Sequence, residues 1–376
     1  MLTFWLGLAA QLGACVSDER AEPQTASGTE TGIRFLAEGG TGGFARALQA
    51  REFEFPADHG GHPDFRTEWW YFTGNVFGAQ GRHYGFELTF FRIALTPSAP
   101  ARESAWATNQ IWMAHFALTD VGAGRFSAGE RLSRGALGIA GVRAEPFRVW
   151  VEDWSATAED GRLEDGLRLR ASMPEGAIDL RLEALKPAVP QGDGGLDAKG
   201  AAPGNASYYY SIPRLSVSGT VEAGGTRDAV EGLAWMDREW STSALEAGVA
   251  GWDWFALQLS DGSDLMLYRL RDDHGGTTQF SAGTLVDANG AVTRFGATDF
   301  SLQAGDFWTS ATSGARYPVF WRIRIPDVGL DLQVAPHLKE QEIDLAVRYW
   351  EGAVGVTGSS RQGSVSGHGY LELAGY

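Results

Sequence analysis

Acids, histidines and aromatic rings crowd into two short stretches of this 376-residue chain, and these are the residues equipped for chemistry. Residues 55–76 read FPADHGGHPDFRTEWWYFTGNV, which sets Asp58, His59, His62, Asp64 and Glu68 against Trp69, Trp70 and Tyr71. The chain has only 7 histidines, so a pair this close stands out. The second stretch, Trp235-Met-Asp-Arg-Glu-Trp240, holds Asp237 and Glu239 between two tryptophans. In an extended chain successive side chains alternate, so Asp237 and Glu239 share one face while Arg238 and Trp240 take the other. The same rule sorts Glu68, Trp70 and Phe72 from Trp69, Tyr71 and Thr73. A carboxylate among large rings must be solvated, paired or functional, because burying it unpaired is expensive. Kept protonated by apolar surroundings, such a carboxyl is a general acid at neutral pH.

The structural alternatives are concrete. Asp237-Arg238-Glu239 reads equally as an ion-pair corner, and Asp58, His59, His62 and Asp64 as a cross-linked loop. A metal site in that loop is disfavoured, because no remote third ligand completes it. No zinc-type Cys/His spacing and no glycine-rich phosphate loop occurs, so neither metal nor cofactor is expected. His115, beside Ile111 and Met113 on one face, reads as a hydrogen-bonded core residue. Trp235, Trp321 and Trp350 read as core.

The elements that position these residues are strands. Aromatic and β-branched runs at 68–73, 84–93, 110–119, 147–154, 167–172 and 178–184 alternate as half-buried strands do. Further strands are expected at 208–221, broken at Pro213, and at 230–235. A hairpin turns at Asp261-Gly262 within 252–271, and strands at 317–326 and 328–334 follow. Residues 187–207, rich in Gly, Pro and Ala, form a long loop of the kind used as a lid or binding loop. Gly 50, Trp 14 and Phe 20, with few helical patterns, make the chain all-β.

Its length exceeds one small core, so two domains are expected, with boundaries at 44–241 and 242–376. The net charge of −16 disfavours nucleic acid and anionic membrane surfaces as partners. Residues 2–14 are apolar but too few to span a bilayer as a helix, and 1–15 reads as a signal peptide. Leu12-Gly13-Ala14-Cys15 resembles the bacterial lipobox, which makes Cys15, the single cysteine, the lipid anchor. Val16 stands where an aspartate would retain the protein at the inner membrane, so sorting to the outer membrane is expected. Residues 16–43 are a polar tether.

Together with Gly251-Trp-Asp-Trp-Phe255, Tyr349-Trp-Glu-Gly352 and Gly369-Tyr-Leu-Glu-Leu-Ala-Gly-Tyr376, the two stretches resemble the carotenoid 1,2-hydratase superfamily. The likeness is to its secreted lipocalin-like branch, often labelled a predicted secreted hydrolase, and runs from about residue 53 to 376. Ala374 departs from the usual threonine of the last motif, which removes a local hydrogen bond. The resemblance implies two lipocalin-like antiparallel β-barrel or sandwich domains packed together, with the ligand site in or between them. It also implies affinity for a long apolar ligand, isoprenoid or lipid, and association with ABC-type export components.

Hydrating an isolated alkene needs a protonated acid, π faces for the carbocation and a base to hold water. In that scheme Asp237 is the acid, and His59 or Glu239 orients the water. Glu68, Trp69, Tyr71, Trp240, Trp252 and Trp254 bind the ligand. The first expectation is an exported carrier of an apolar ligand, and the second a hydratase-like lyase. A hydrolase comes third, since no Gly-x-Ser-x-Gly elbow is present.

Overall fold

The structure, a computed structural model, describes residues 41–159, 161–242, 246 and 248–376. The expected signal peptide, Cys15 and the tether up to residue 40 lie outside the described residues. Nearly everything described is antiparallel sheet: one of thirteen strands, one of ten, and a small two-stranded ribbon. Thr226–Ser241 is the last strand of the first large sheet, and Val249–Leu259 begins the second.

Most neighbours in the first sheet are sequential hairpins. The exception organises the site: Thr67–Gly78 pairs with both His83–Ala94 and Thr226–Ser241. The two chemical stretches of the sequence thereby become adjacent strands. Tyr71 lies opposite Asp237, Trp69 opposite Glu239, Trp70 opposite Arg238 and Glu68 opposite Trp240. Thr226–Ser241 is itself delivered by a tight reversal at Gly224-Gly225, whose φ values of 55° and 78° suit the two-residue hairpin turns that glycine favours.

Each large sheet curls around its own core. Trp70, Phe72, Leu88, Phe90, Phe116, Leu169 and Met236 fill the first, and Phe255, Trp321, Ile323, Trp350 and Leu371 the second. Trp321 and Trp350 are thus core residues. Trp235 is buried core as well, in a third apolar cluster with Tyr71, Tyr209, Trp254, Tyr268 and Tyr370 that joins the outer faces of the two sheets. The close approach there depends on Gly85: a Cβ on it would come 2.5 Å from that of Ala353 and 2.9 Å from the Tyr370 hydroxyl.

Several expectations need correction, among them 317–326, which divides into Arg316–Pro318 of the small ribbon and Trp321–Ile325 of the second large sheet. Residues 147–154 are not one strand: Glu152, at φ 57°, reverses the chain between Phe147–Val151 and Trp154–Ala158. Pro213 does not break Ala206–Ala223, which runs on through an irregularity between Ile212 and Leu215. The Gln258 side-chain amide satisfies the Pro213 carbonyl at 2.8 Å. The long loop is tied down as well, through Val189–Pro190 and Leu196–Ala198 pairing with Ala206–Ala223.

A branched side chain at Gly85 must push the sheets apart. Gly85→Val is expected to lower the unfolding free energy by about 1–3 kcal/mol, as overpacking does. Urea unfolding followed by tryptophan fluorescence checks this, and an unchanged midpoint would mean the seam is not closed at this point.

Candidate active site

Between the outer faces of the two large sheets lies a cavity of about 190 Å³ with a largely apolar wall. Trp69, Tyr71, Thr89, Phe91, Tyr209, Asp237 and Glu239 come from the first sheet. Trp252, Trp254, Tyr268, Leu270 and Glu372 come from the second. Alternation selects them: Trp69 and Tyr71 point out of the first core while Trp70 and Phe72 point into it. Of the residues singled out in the sequence, the structure therefore brings six to one cavity: Trp69, Tyr71, Asp237, Glu239, Trp252 and Trp254.

The acids of this seam are poorly solvated. Burial pushes Asp237 up to about 7, although Ser211, Tyr209 and Trp235 all donate hydrogen bonds to it. The Tyr209 hydroxyl donates to Oδ2 at 2.6 Å, and the Trp235 indole to Oδ1 at 2.7 Å. Burial also raises Glu239, against the pull of the Lys199 ammonium 3.7 Å away. For Lys199 burial works the other way, but Asp197 and Glu239 outweigh it and keep the ammonium charged. On the opposite wall burial pushes Glu372 up to about 7, and the Trp252 indole donates to it. Glu372 faces Glu351 across paired strands, and burial together with the Glu372 charge holds Glu351 well above the ordinary carboxylate range. Tyr71 donates to Glu351 at 2.7 Å. Two like charges this close cannot both persist without a cation, so the pair holds a proton.

Three expected site residues are not brought to the cavity: Glu68, His59 and Trp240. They lie on the opposite face of the central strands. Glu68, completely buried, pairs with the guanidinium groups of Arg92 and Arg238 and accepts the His62 backbone N–H at 3.0 Å. Arg238 and Arg92 outweigh burial and hold its carboxyl below the usual range. His59 Nδ1 lies 2.6 Å from the Tyr210 hydroxyl and its Nε2 3.0 Å from Glu164, so no face of it reaches the cavity. Trp240 stacks on His62 with ring centroids 3.8 Å apart. Asp58 bridges Arg51 at 2.5 Å and His62 at 2.9 Å, cross-linking the loop.

Other lining residues were not singled out beforehand. Glu372 shares the face of Tyr370 and Ala374 in the last motif, so alternation could have found it. Tyr209 sits in the Tyr208-Tyr209-Tyr210 run, where composition gives no face, and Lys199 in a loop without periodicity. Behind the wall, Tyr349 and His115 Nδ1 are 2.7 Å apart, and His115 Nε2 lies 3.1 Å from Glu130. His115 is buried and hydrogen-bonded, in line with its sequence reading.

Two curled all-β sheets clamping an aromatic cavity edged with protonatable acids define a double lipocalin-like protein with a cavity at the seam. The chain belongs to the AttH-like family, whose model matches residues 46–376, in accord with the carotenoid-hydratase resemblance of its motifs. An AttH crystal structure from Nitrosomonas europaea superposes with a TM-score of 0.77 at 34% identity, over 89% of this chain and 100% of that one. Kievitone hydratase from Nectria haematococca shares the fold, with a TM-score of 0.65 at 16% identity over 88% of this chain and 98% of that one. In sequence, the chain is 26% identical to kievitone hydratase of Fusarium solani subsp. phaseoli over 177 residues. That match spans 44% of this chain and about half (49%) of the relative.

The two kinds of buried acid should respond oppositely to mutation. Glu68→Ala leaves two buried guanidinium groups uncompensated and is expected to cost about 3–5 kcal/mol. The folded-state pKa of Asp237 lies above the ordinary 3.8, so its contribution to stability is complete at low pH and is lost as pH rises through about 7. Asp237→Asn lacks that loss. Relative to the parent it should gain on the order of 2 kcal/mol between pH 5 and pH 8.5. Urea unfolding of both variants at the two pH values measures each effect.

Proposed function

We propose that this protein is a hydro-lyase that adds water to a carbon–carbon double bond at the branched, apolar end of an isoprenoid-like substrate. The observation that carries the reading is the Asp237 carboxyl, raised to about 7 on the wall of an aromatic cavity. An acid of that strength is half protonated at neutral pH, the best compromise between holding a proton and giving it up. The two kievitone hydratases among the relatives support the reaction class.

In the mechanism we infer, the proton of Asp237 passes to the less substituted alkene carbon and the π bond breaks to leave a tertiary carbocation. The faces of Trp69, Trp252 and Trp254 stabilise that charge, a contribution of about 2 kcal/mol for a desolvated cation. Water held by Glu239 adds to the cation and gives its second proton to that carboxylate, which Lys199 keeps available. A volume of about 190 Å³ is on the scale of the ~150 Å³ cavity that accommodates benzene. It would take a chain end, with the remainder of the substrate leaving through the mouth. The N-terminal signal and Cys15 anchor, as read from the sequence, would place this reaction in the cell envelope.

The carrier reading takes second place, because a carrier has no need of protonatable acids at its ligand wall. A serine hydrolase has less support still: the wall holds Ser207 and Ser241 but no histidine among the described residues. Incubating the protein with acyclic isoprenoids in H₂¹⁸O tests the proposal. A tertiary alcohol carrying one ¹⁸O is expected, with kcat falling as pH rises above about 7 and Asp237→Asn slower by about 100- to 10,000-fold. Substrates recovered unchanged from tight complexes would instead favour the carrier, and full activity in Asp237→Asn would remove the acid assignment.

A further inference from the structure

We propose that His83, His337 and His368 form a binding site for one divalent transition-metal ion of the zinc class, which staples the two large sheets together. Three of the 7 histidines of the chain meet there, each offering a nitrogen, all within 4.8 Å of one another. His83 opens the His83–Ala94 strand of the first sheet. His368 lies in Gly363–Ala374 of the second, and His337 directly follows Leu330–Pro336. The backbone N–H of His337 donates to the Ala353 carbonyl at 3.0 Å, which fixes that corner.

The surroundings of these three rings differ from those of the other buried or half-buried histidines. His59, His62 and His115 each face a carboxylate: Glu164, Asp58 and Glu130. Among the described residues His83, His337 and His368 have no carboxylate partner and face one another instead. All three rings are half-buried and each offers a nitrogen to the same point. His337 Nε2 and His368 Nδ1 are 3.5 Å apart, long for a hydrogen bond. That spacing is close to the roughly 3.3 Å between donors on a tetrahedral ion with bonds of about 2.0–2.1 Å.

The tautomer of His83 is also set. The Asn75 side-chain amide donates to the Gly369 carbonyl at 3.0 Å, which turns Asn75 Oδ1 toward His83 Nε2 at 2.9 Å. Nε2 therefore carries the proton and Nδ1 is left as the ligand. A second-shell carbonyl gripping the far N–H of an imidazole is the usual support of a metal-binding histidine. Phe77 stacks on His83 at 4.5 Å and sets its edge against His368 at 5.3 Å, screening one side. Three imidazoles and no carboxylate suit Zn²⁺, Cu²⁺ or Ni²⁺ over Mg²⁺ or Ca²⁺, with a fourth position left for water. His83 stands six residues before the cavity-lining Thr89 on one strand, about 20 Å away at about 3.3 Å per residue. The site is therefore separate from the acid-lined cavity, and the proposal does not rest on the hydratase reading.

The test uses full-length protein without a histidine tag, stripped with a chelator and titrated with Zn²⁺ by calorimetry. One equivalent should bind, and His83→Ala and His368→Ala should each weaken binding at least tenfold, while the exposed His274→Ala leaves it unchanged. Loaded with Cu²⁺, the parent should show imidazole nitrogen hyperfine coupling in its EPR spectrum. Circular dichroism confirms folding, and His83→Gln, which keeps a polar group beside Asn75, serves should the alanine variant unfold. Folded parent protein that takes up no stoichiometric Zn²⁺, or uptake that survives the loss of His83 and His368 undiminished, would overturn the proposal.

Discussion

In a poorly solvated interior a carboxyl stays ionised only where a neighbouring cation stabilises its charge, and the pairing of two strands decides which acids have one. Thr67–Gly78 and Thr226–Ser241 present opposite chemistry on their two faces. Toward the first core, Glu68 is clasped by Arg92 and Arg238 and stays ionised. Toward the second sheet, Asp237 has only neutral donors around it and its proton is held to about 7. A single-residue change of register would exchange the faces, placing guanidinium groups in the aromatic seam and the reactive acid in the core. The same pairing therefore secures the fold and decides which acid keeps its proton.

The two cups are filled by their own side chains, so the cavity is a product of their association. Trp70, Phe90 and Phe116 occupy one interior, and Phe255, Trp321 and Trp350 the other. What remains is the gap where the outer faces meet, with one wall from each sheet. The cavity that Asp237 lines takes one wall from each sheet, and burial there raises its pKa. The small residues Gly85 and Ala353, which let the sheets touch, thereby act on the chemistry from a distance.

Much of this was legible in the sequence because alternation is a strong signal. The faces of Trp69, Tyr71, Asp237 and Glu239 follow from a period of two, and they are the faces the structure shows. His59 and Trp240 were misplaced for a different reason. Their neighbours in sequence are site residues, but proximity along a strand says nothing about the side on which a ring emerges, and His59 precedes the strand altogether. Arg125–Arg134 escaped notice because its side chains are mostly half-exposed and polar, leaving no apolar stripe to read. Lys199 was hidden within a loop whose path is set by pairing with Ala206–Ala223. The grouping of His83, His337 and His368 depends on how two sheets dock, which no local pattern encodes.

On the hydro-lyase reading proposed above, the arrangement of the acids also bears on how the seam could turn over repeatedly. Adding water to a double bond consumes no net proton: the acid loses one to carbon, and the group holding the water gains one. The catalyst is reset once that proton travels back. Tyr209 is suited to this, since its hydroxyl donates to Asp237 and its backbone position lies opposite Glu239 in the paired strands. The Tyr209 hydroxyl donates to Asp237 while accepting from the Trp254 indole at 3.2 Å, which fixes it between the acid and the opposite wall. Hydration consumes one water per turnover, as hydrolysis does, so water must still enter through the mouth of the cavity. The electrostatic hold on each buried proton weakens as bulk water enters, so the seam favours few waters over many.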